Sequence, residues 1–298
     1  MDAPSQTDFG TIPVAPVAIP LSPSQVPPRP APVRFPDHLD LPETDGSIVV
    51  NFNEAPQARI LTEAIEPVLR KIHPDGQFAV GENSGIYFKP TDPPLAGCRA
   101  PDWFYVPDVP PMAPGGEYRR SYVMWQEIQA PRLVIEFVSG NGAEERDRTP
   151  GTGKFWIYER AIRAGFYAII DSARDILEVY ELRGGQYEAV QPNSQGLFPI
   201  PPMNVFLGKW VGQVGNVSGV WARFYDQQGA LLPTDGDRAD SALQRAQDER
   251  QRAEKELLRA EQERQRAEGE RQRADTAEAE LNRVREKLRL AGIDPDAK

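Results

Sequence analysis

The chain has 298 residues and a formal net charge of -10, from Lys+Arg 34 against Asp+Glu 44. One cysteine, Cys98, excludes an internal disulfide or a zinc cluster, and two histidines, His38 and His73, exclude a histidine-rich metal site. No apolar run reaches about 18 residues, so no membrane span is expected; the opening Met1-Asp2-Ala3-Pro4 lacks the basic-then-apolar pattern of a secretory signal, and a cytoplasmic location is expected.

Polar chemistry must therefore rest on carboxylates and lysines. Residues 238–298 hold 15 Lys/Arg and 15 Asp/Glu, so the whole negative charge belongs to the first 237 residues. Three segments are expected: a disordered Pro-rich arm over 1–45, an α/β domain over 46–235 and a long charged helix over 236–298.

Residues 1–45 contain 11 of the 30 prolines. Val26-Pro27-Pro28-Arg29-Pro30 favours an extended polyproline conformation. Such an arm serves as a solvated leader or as a ligand for a proline-binding module.

Over 58–72, Ile60, Leu61, Ala64, Ile65, Val68, Leu69 and Ile72 fall at helical spacing. Pro67 should bend this helix or end its first half. His73-Pro74-Asp75-Gly76 is a turn. Phe78–Val80, Ile86–Phe88 and Pro101–Val106 are short strand candidates, followed by a Pro- and Gly-rich loop at 107–117. The clearest strand is 131–139, with Leu133, Ile135 and Phe137 on one face and Val134, Glu136 and Val138 on the other. Residues 154–164 read as a helix closing at Gly165, started by Thr149-Pro150 or by a Thr152 cap. Phe166–Ile170 is an apolar strand, and 176–190 a hairpin turning at Arg183-Gly184-Gly185. This order predicts a mixed α/β domain.

From Arg245 the chain runs through five consecutive heptads. Ala246, Ala253, Ala260, Ala267 and Ala274 recur every seven residues, continued by Leu281 and Leu288. A helix of about 49 residues over 241–289 would span roughly 73 Å at 1.5 Å per residue. The companion seam reads Leu243, Arg250, Leu257, Arg264, Arg271, mostly charged. Pairing as a coiled coil, and a solvated helix held by i,i+4 charge pairs, both remain open.

Asp102 after Pro101, Glu136 in its apolar strand and Lys154 carry the chemistry this composition allows. Carboxylates on neighbouring strands can hold a hard divalent cation, and a nearby lysine can stabilise charge developing on a phosphate. A strand glutamate can equally be a satisfied structural group. Gly151-Thr152-Gly153-Lys154 imitates the end of a phosphate loop, but Arg148 and Phe155 stand where Gly and Ser/Thr are required.

Residues from about 50 to 210 resemble the Uma2 family, also called DUF820. The resemblance rests on Pro101-Asp102, on Val134-Ile135-Glu136-Phe137-Val138-Ser139, on Glu145-Arg146-Asp147-Arg148 ahead of Lys154 and Tyr158, on Ala164-Gly165-Phe166-Tyr167, on Ile170-Asp171 and on the hairpin Leu177–Tyr187. The segment DRTPGTGKFWIYERAI and the ending LRLAGIDPD look like the cyanobacterial branch. The resemblance implies a PD-(D/E)xK restriction-endonuclease-like fold, a mixed sheet core flanked by helices. It further implies Asp102 and Glu136 as ligands of Mg2+ or Mn2+, with Lys154 as the motif lysine. The orthodox motif places that lysine two residues after the glutamate, where this chain has Val138, so Lys154 must reach the site from the next helix. Tyr158, one turn later, is expected to pack there more than to hydrogen-bond. Asp147 is a ligand-shell residue or a solvated loop charge. Glu63 and Glu66 are candidates for an auxiliary first-helix acid, with a solvated helix face the plainer expectation.

Two functions follow. The leading one is a metal-dependent endonuclease on DNA; the rival is a catalytically silent binding or assembly protein whose 241–289 helix pairs with a second copy or a partner helix. The acidic balance counts against strong nonspecific DNA binding. Arg119-Arg120 and Arg146 with Arg148 are the local basic clusters.

Overall fold

The computed structural model describes residues 34–42 and 52–292, so most of the Pro-rich arm and the IDPD of the C-terminal ending lie outside the described residues. The chain divides after Pro36, and all that follows concerns the unit from Asp37 onward.

Helix α1 (Glu54–Ile72) buries Ile60, Leu61, Ala64, Ile65 and Leu69, the stripe its spacing requires. It starts four residues before the expected Ala58 and does not end at Pro67. A proline four residues on cannot donate to the Glu63 carbonyl. That carbonyl is taken instead by Arg238 Nη2 at 2.9 Å.

The strands that follow are β1 (Phe78–Glu82), β2 (Ile86–Tyr87), β3 (Cys98–Arg99), β4 (Trp103–Pro107) and β5 (Tyr122–Val123), with a one-turn helix α2 (Met124–Glu127). Next come β6 (Leu133–Phe137), the helical turn α3 (Lys154–Trp156), which widens into a π-helical turn over Ile157–Ile162, and β7 (Phe166–Asp171). The hairpin β8 (Ile176–Arg183) and β9 (Gln186–Ala189) precedes β10 (Phe198–Ile200), β11 (Val205–Val214) and β12 (Val217–Tyr225). A six-stranded mixed sheet runs in the order β1-β4-β6-β7-β8-β9. Within it only β6 and β7 pair in parallel, Leu133 opposite Phe166, because α3 makes the crossover between them.

Strand alternation separates two cores. Leu133, Ile135 and Phe137 pack with α1 and with residues of β11 and β12, including Leu207, Ala222 and Phe224. Val134 packs on the other face with Phe155, Tyr158 and Tyr167. Several expectations shift. The Pro101–Val106 strand begins only at Trp103, leaving Asp102 just ahead of it. Ile86–Phe88 shrinks to a two-residue strand of a separate small sheet, β3-β2-β5. The helix after Lys154 ends at Ile162, with Arg163 in the left-handed region at φ 58.

The sheet β10-β11-β12 was not foreseen from the sequence. Gln57 ties it to α1, donating to the Ala222 carbonyl at 2.9 Å and accepting from the Ala222 N–H at 2.8 Å.

Helix α4 (Asp235–Leu290) is 56 residues long and begins earlier than the expected residue 241. Thr234 and Asp237 form a capping box there. Arg223 pairs with Asp237 at 3.1 Å. Beyond that anchored first turn the charge runs almost all round, and no α4 residue is buried. Among the described residues, no helix is long and apolar enough to cross a membrane.

Candidate active site

Glu136 and Asp102 meet because β4 and β6 are antiparallel neighbours with Trp103 opposite Ile135. The same register sets Asp102, one residue before β4, beside Glu136. Asp102 Oδ2 accepts the Phe137 N–H at 2.5 Å, so the end of β6 holds both acids. Both side chains are buried.

The sequence places Lys154 and Tyr158 four apart, and the helical turn brings both to Glu136. Lys154 Nζ lies 3.3 Å from Glu136 Oε2 and 3.1 Å from Glu144 Oε1. The Tyr158 hydroxyl donates to Glu136 Oε1 at 2.5 Å. Packing was expected of Tyr158; it packs on Tyr167 as well, with ring centroids 4.9 Å apart, but its hydroxyl belongs to the site. A phenol oxygen buried beside a carboxyl needs a partner, and sequence spacing alone does not reveal which one is near.

The long stretch between Asp147 and Lys154 folds back on itself. Asp147 Oδ1 accepts the Thr149 N–H at 2.8 Å, and the Asp147 carbonyl accepts the Phe155 N–H at 3.0 Å. The helix start is thus satisfied by a backbone carbonyl; neither Thr149 nor Thr152 caps it with a side chain, and its cap residue is Gly153. A Cβ at Gly153 would lie 2.4 Å from the Asp147 carbonyl oxygen, so only glycine lets the loop close this tightly. Asp147 itself is partly buried and serves this turn, its pKa lowered by its bonds to Thr149.

Burial dominates the electrostatics. It pushes Asp102 up to about 7, against the Phe137 N–H that favours the charged form. It pushes Glu136 up to about 8, with Lys154 pulling down and Asp102 pushing further up. Burial alone would lower the Lys154 pKa, yet Glu136 and then Glu144 override it and the net shift is upward. Two interacting buried carboxyls beside a charged lysine hold less than two full negative charges at neutral pH.

A third acid stands at the first turn of α1. Glu54 is buried, and its pKa is raised by that burial and then by Glu136. Glu63 and Glu66, the sequence candidates, instead face Arg59 at 3.8 Å and Arg70 at 2.5 Å on the outer helix. The apolar spacing that starts the helix at Ala58 leaves Glu54 out; Asn53-Glu54-Ala55-Pro56, with a capping residue type and an early proline, carries the signal for the earlier start. Glu145 is a fourth acid, buried, with Oε2 lacking a hydrogen-bond partner. It contributes to the shifts of both Glu54 and Lys154, after their larger causes.

The basic clusters read from the sequence are largely used internally. Arg119 pairs with Glu127 at 2.6 Å, Arg146 with Glu178 at 2.9 Å, and Arg148 lies 3.6 Å over the Phe155 ring centroid. His73 bonds the Tyr105 hydroxyl at 2.6 Å, on the far half of β4.

The donor set suits a hard cation. Oxygen donors converge at Asp102 and Glu136, which interact as neighbouring carboxyls. Among the described residues, no group of three or more His, Cys, Asp or Glu is arranged to hold a metal. Two protein carboxylates, with water and substrate oxygens completing the shell, is the pattern Mg2+ uses at phosphate-handling sites.

Residues 35–209 match the family model of Uma2, described as "Putative restriction endonuclease". Among solved structures, the chain is similar to the "Crystal structure of a putative nuclease belonging to DUF820 from Anabaena variabilis ATCC 29413", at 18% identity and a TM-score of 0.36, over 55% of this chain and 87% of that one. No curated protein matches the chain.

Proposed function

The chain belongs to the Uma2 family, and on that premise we propose that it is a metal-dependent endonuclease that hydrolyses phosphodiester bonds in DNA. The observation that supports this reading most is the convergence of Asp102, Glu136 and Lys154, from three separate segments, on one buried point. A family of nucleases lends the fold its usual chemistry, but the activity is argued from these residues.

Asp102 and Glu136 would hold Mg2+ or Mn2+, which when bound polarises a phosphoryl oxygen and lowers the pKa of water. The chain's own groups do the rest. The Phe137 N–H fixes the Asp102 carboxyl, and Tyr158 fixes that of Glu136. Lys154 sets a positive charge beside Glu136, where negative charge develops as the phosphate is attacked. Glu54, its proton affinity raised by burial, would accept a proton from a water next to the pair.

The test is nicking or linearisation of supercoiled DNA by the purified protein with Mg2+ or Mn2+, beside a Glu136→Ala control. Metal-dependent cleavage that the control loses supports the reading; equal cleavage by both, or none by either, overturns it.

A second reading, assembly through the C-terminal helix, is favoured by α4 having no buried residue and exposing Leu243, Leu257 and Leu281 on the heptad seams. Pairing with a second copy would cover these leucines. Sedimentation of the full chain against one ending at residue 241 separates a dimer made by α4 from a monomer.

A further inference from the structure

A cavity of about 220 Å³ opens beside the candidate active site, sharing Glu54 and Phe137 with it. The ends of β6 and β7 and the start of α1 line it on one side, through Asn53, Ile170 and Ser172. The β11–β12 hairpin lines it on the other, through Val217, Ser218, Gly219 and Trp221. β12 lies beyond the 35–209 stretch that the family model matches.

The wall is already set. Both hydrogen bonds of Gln57 to Ala222 lock β12 against α1, and Trp221 Nε1 donates to the Gly212 carbonyl at 3.1 Å. The concavity is preformed, and polar and apolar groups share its lining about equally. The volume is below the roughly 300–1,000 Å³ of pockets for drug-sized ligands, so it suits a single ring system.

The lining contains no lysine or arginine, and it contains one acid. A phosphate is therefore repelled. A flat uncharged ring with a hydrogen-bonding edge suits this lining, which sets apolar groups such as Phe137, Ile170 and Trp221 beside the polar Asn53, Ser172 and Ser218. In a nucleic-acid strand that ring is a base taken out of its stack.

We propose that this cavity receives one unstacked DNA base next to the phosphate that is cut, and that the β11–β12 hairpin thereby sets which base is accepted there. The proposal rests on the endonuclease reading and adds a specificity subsite to it.

The experiment scans a duplex containing a plasmid cleavage site, replacing one nucleotide at a time by an abasic residue. Cleavage is followed in Mg2+ or Mn2+, and affinity in Ca2+. For the natural chain, one abasic position adjoining the cut should lower kcat/KM on the order of tenfold, the scale of one stacked base. A Cβ at Gly219 meets nothing nearer than Trp221 Nε1 at 3.9 Å, so Gly219→Leu adds bulk to this wall of the cavity with no clash at its Cβ. That variant should cut intact and abasic strands at the same reduced rate.

If cleavage occurs and every abasic position is neutral, the pocket proposal falls and the endonuclease reading stands. A Gly219→Leu variant that keeps the natural sensitivity likewise overturns it. Should no cleavage occur, the endonuclease reading fails and the Ca2+ affinities for a random-sequence duplex decide the pocket. A single tenfold-sensitive position, lost in Gly219→Leu, supports it; uniform affinities, or no binding, overturn it.

Discussion

The Tyr158 hydroxyl donates to Glu136 Oε1 at 2.5 Å, while the other Glu136 oxygen faces Lys154 Nζ at 3.3 Å. One turn of helix thus occupies both oxygens of a carboxyl buried in the middle of a sheet. Tyr158→Phe keeps the packing on Tyr167 and removes only the bond. The expected cost is about 1–3 kcal/mol of stability, measured by chemical unfolding. Cleavage should fall roughly 10–100-fold, as when an outer partner of a ligand is lost.

Val138 fills the strand position two residues after Glu136, so that position supplies no cation to take the place of Lys154. Lys154→Ala should lower cleavage by about 10²-fold or more while circular dichroism stays native. Lys154→Arg should not restore it fully, because a guanidinium is wider and does not share the ammonium geometry. Full activity in either variant would remove Lys154 from the mechanism.

Gly153 sets where that lysine stands. Gly153→Ala places a methyl 2.4 Å from the Asp147 carbonyl oxygen, which must move and release the helix start. Cleavage should drop with the substitution although Gly153 touches none of the acids. Kinetics of this variant beside Thr152→Ala, expected near the natural rate, tests the point.

Stability should fall with rising pH in metal-free protein. Asp102 and Glu136 have folded values of about 7 and about 8, above their ordinary 3.8 and 4.5. Below about pH 4 both folded and unfolded chains carry these protons and the pair costs nothing. Between about 4 and 8 the unfolded chain has released protons that the folded chain still binds, so stability is lost, and above about 8 the loss is complete. Thermal unfolding should show this slope, and Glu136→Gln should flatten it. Added Mg2+ should raise Tm more at about pH 8 than at about pH 5.5, because ligation needs the deprotonated carboxylates.

Helix α4 is tied to the domain at its first turn, by Asp237 to Arg223 and by Arg238 to the Glu63 carbonyl. A chain ending at residue 241 should keep its unfolding free energy within about 1 kcal/mol. One ending at residue 230 should not, because it loses Leu232 from the core and leaves the Glu63 carbonyl without its arginine. Limited trypsin digestion should cut within α4 after Arg238 and leave the shorter domain intact.

Local chemistry was legible in the sequence wherever one short stretch determines the outcome. The apolar alternation of 131–139 specifies a strand buried on both faces, and the Ala heptads specify a long polar helix. Pro101-Asp102, the glutamate of VIEFVS and Lys154 stand out through family resemblance. The hairpin β11–β12 carried a signal too: Gly215-Asn216 between strand-like runs is a two-residue turn, with Gly215 at φ 60. The glycines diluting its strands hid it. Three things were decided by tertiary structure alone. Glu54 enters the site because the fold sets the start of α1 near Glu136, a relationship spanning some eighty residues of chain. Pro67 is tolerated because an arginine from α4 reaches the carbonyl it strands. Tyr158 turned from packing residue to hydrogen-bond donor because β6 presents Glu136 to the α3 side of the sheet. Periodicity reports which face of an element is buried, but the partner of a buried polar atom is chosen by whichever distant segment the fold sets within 3 Å of it.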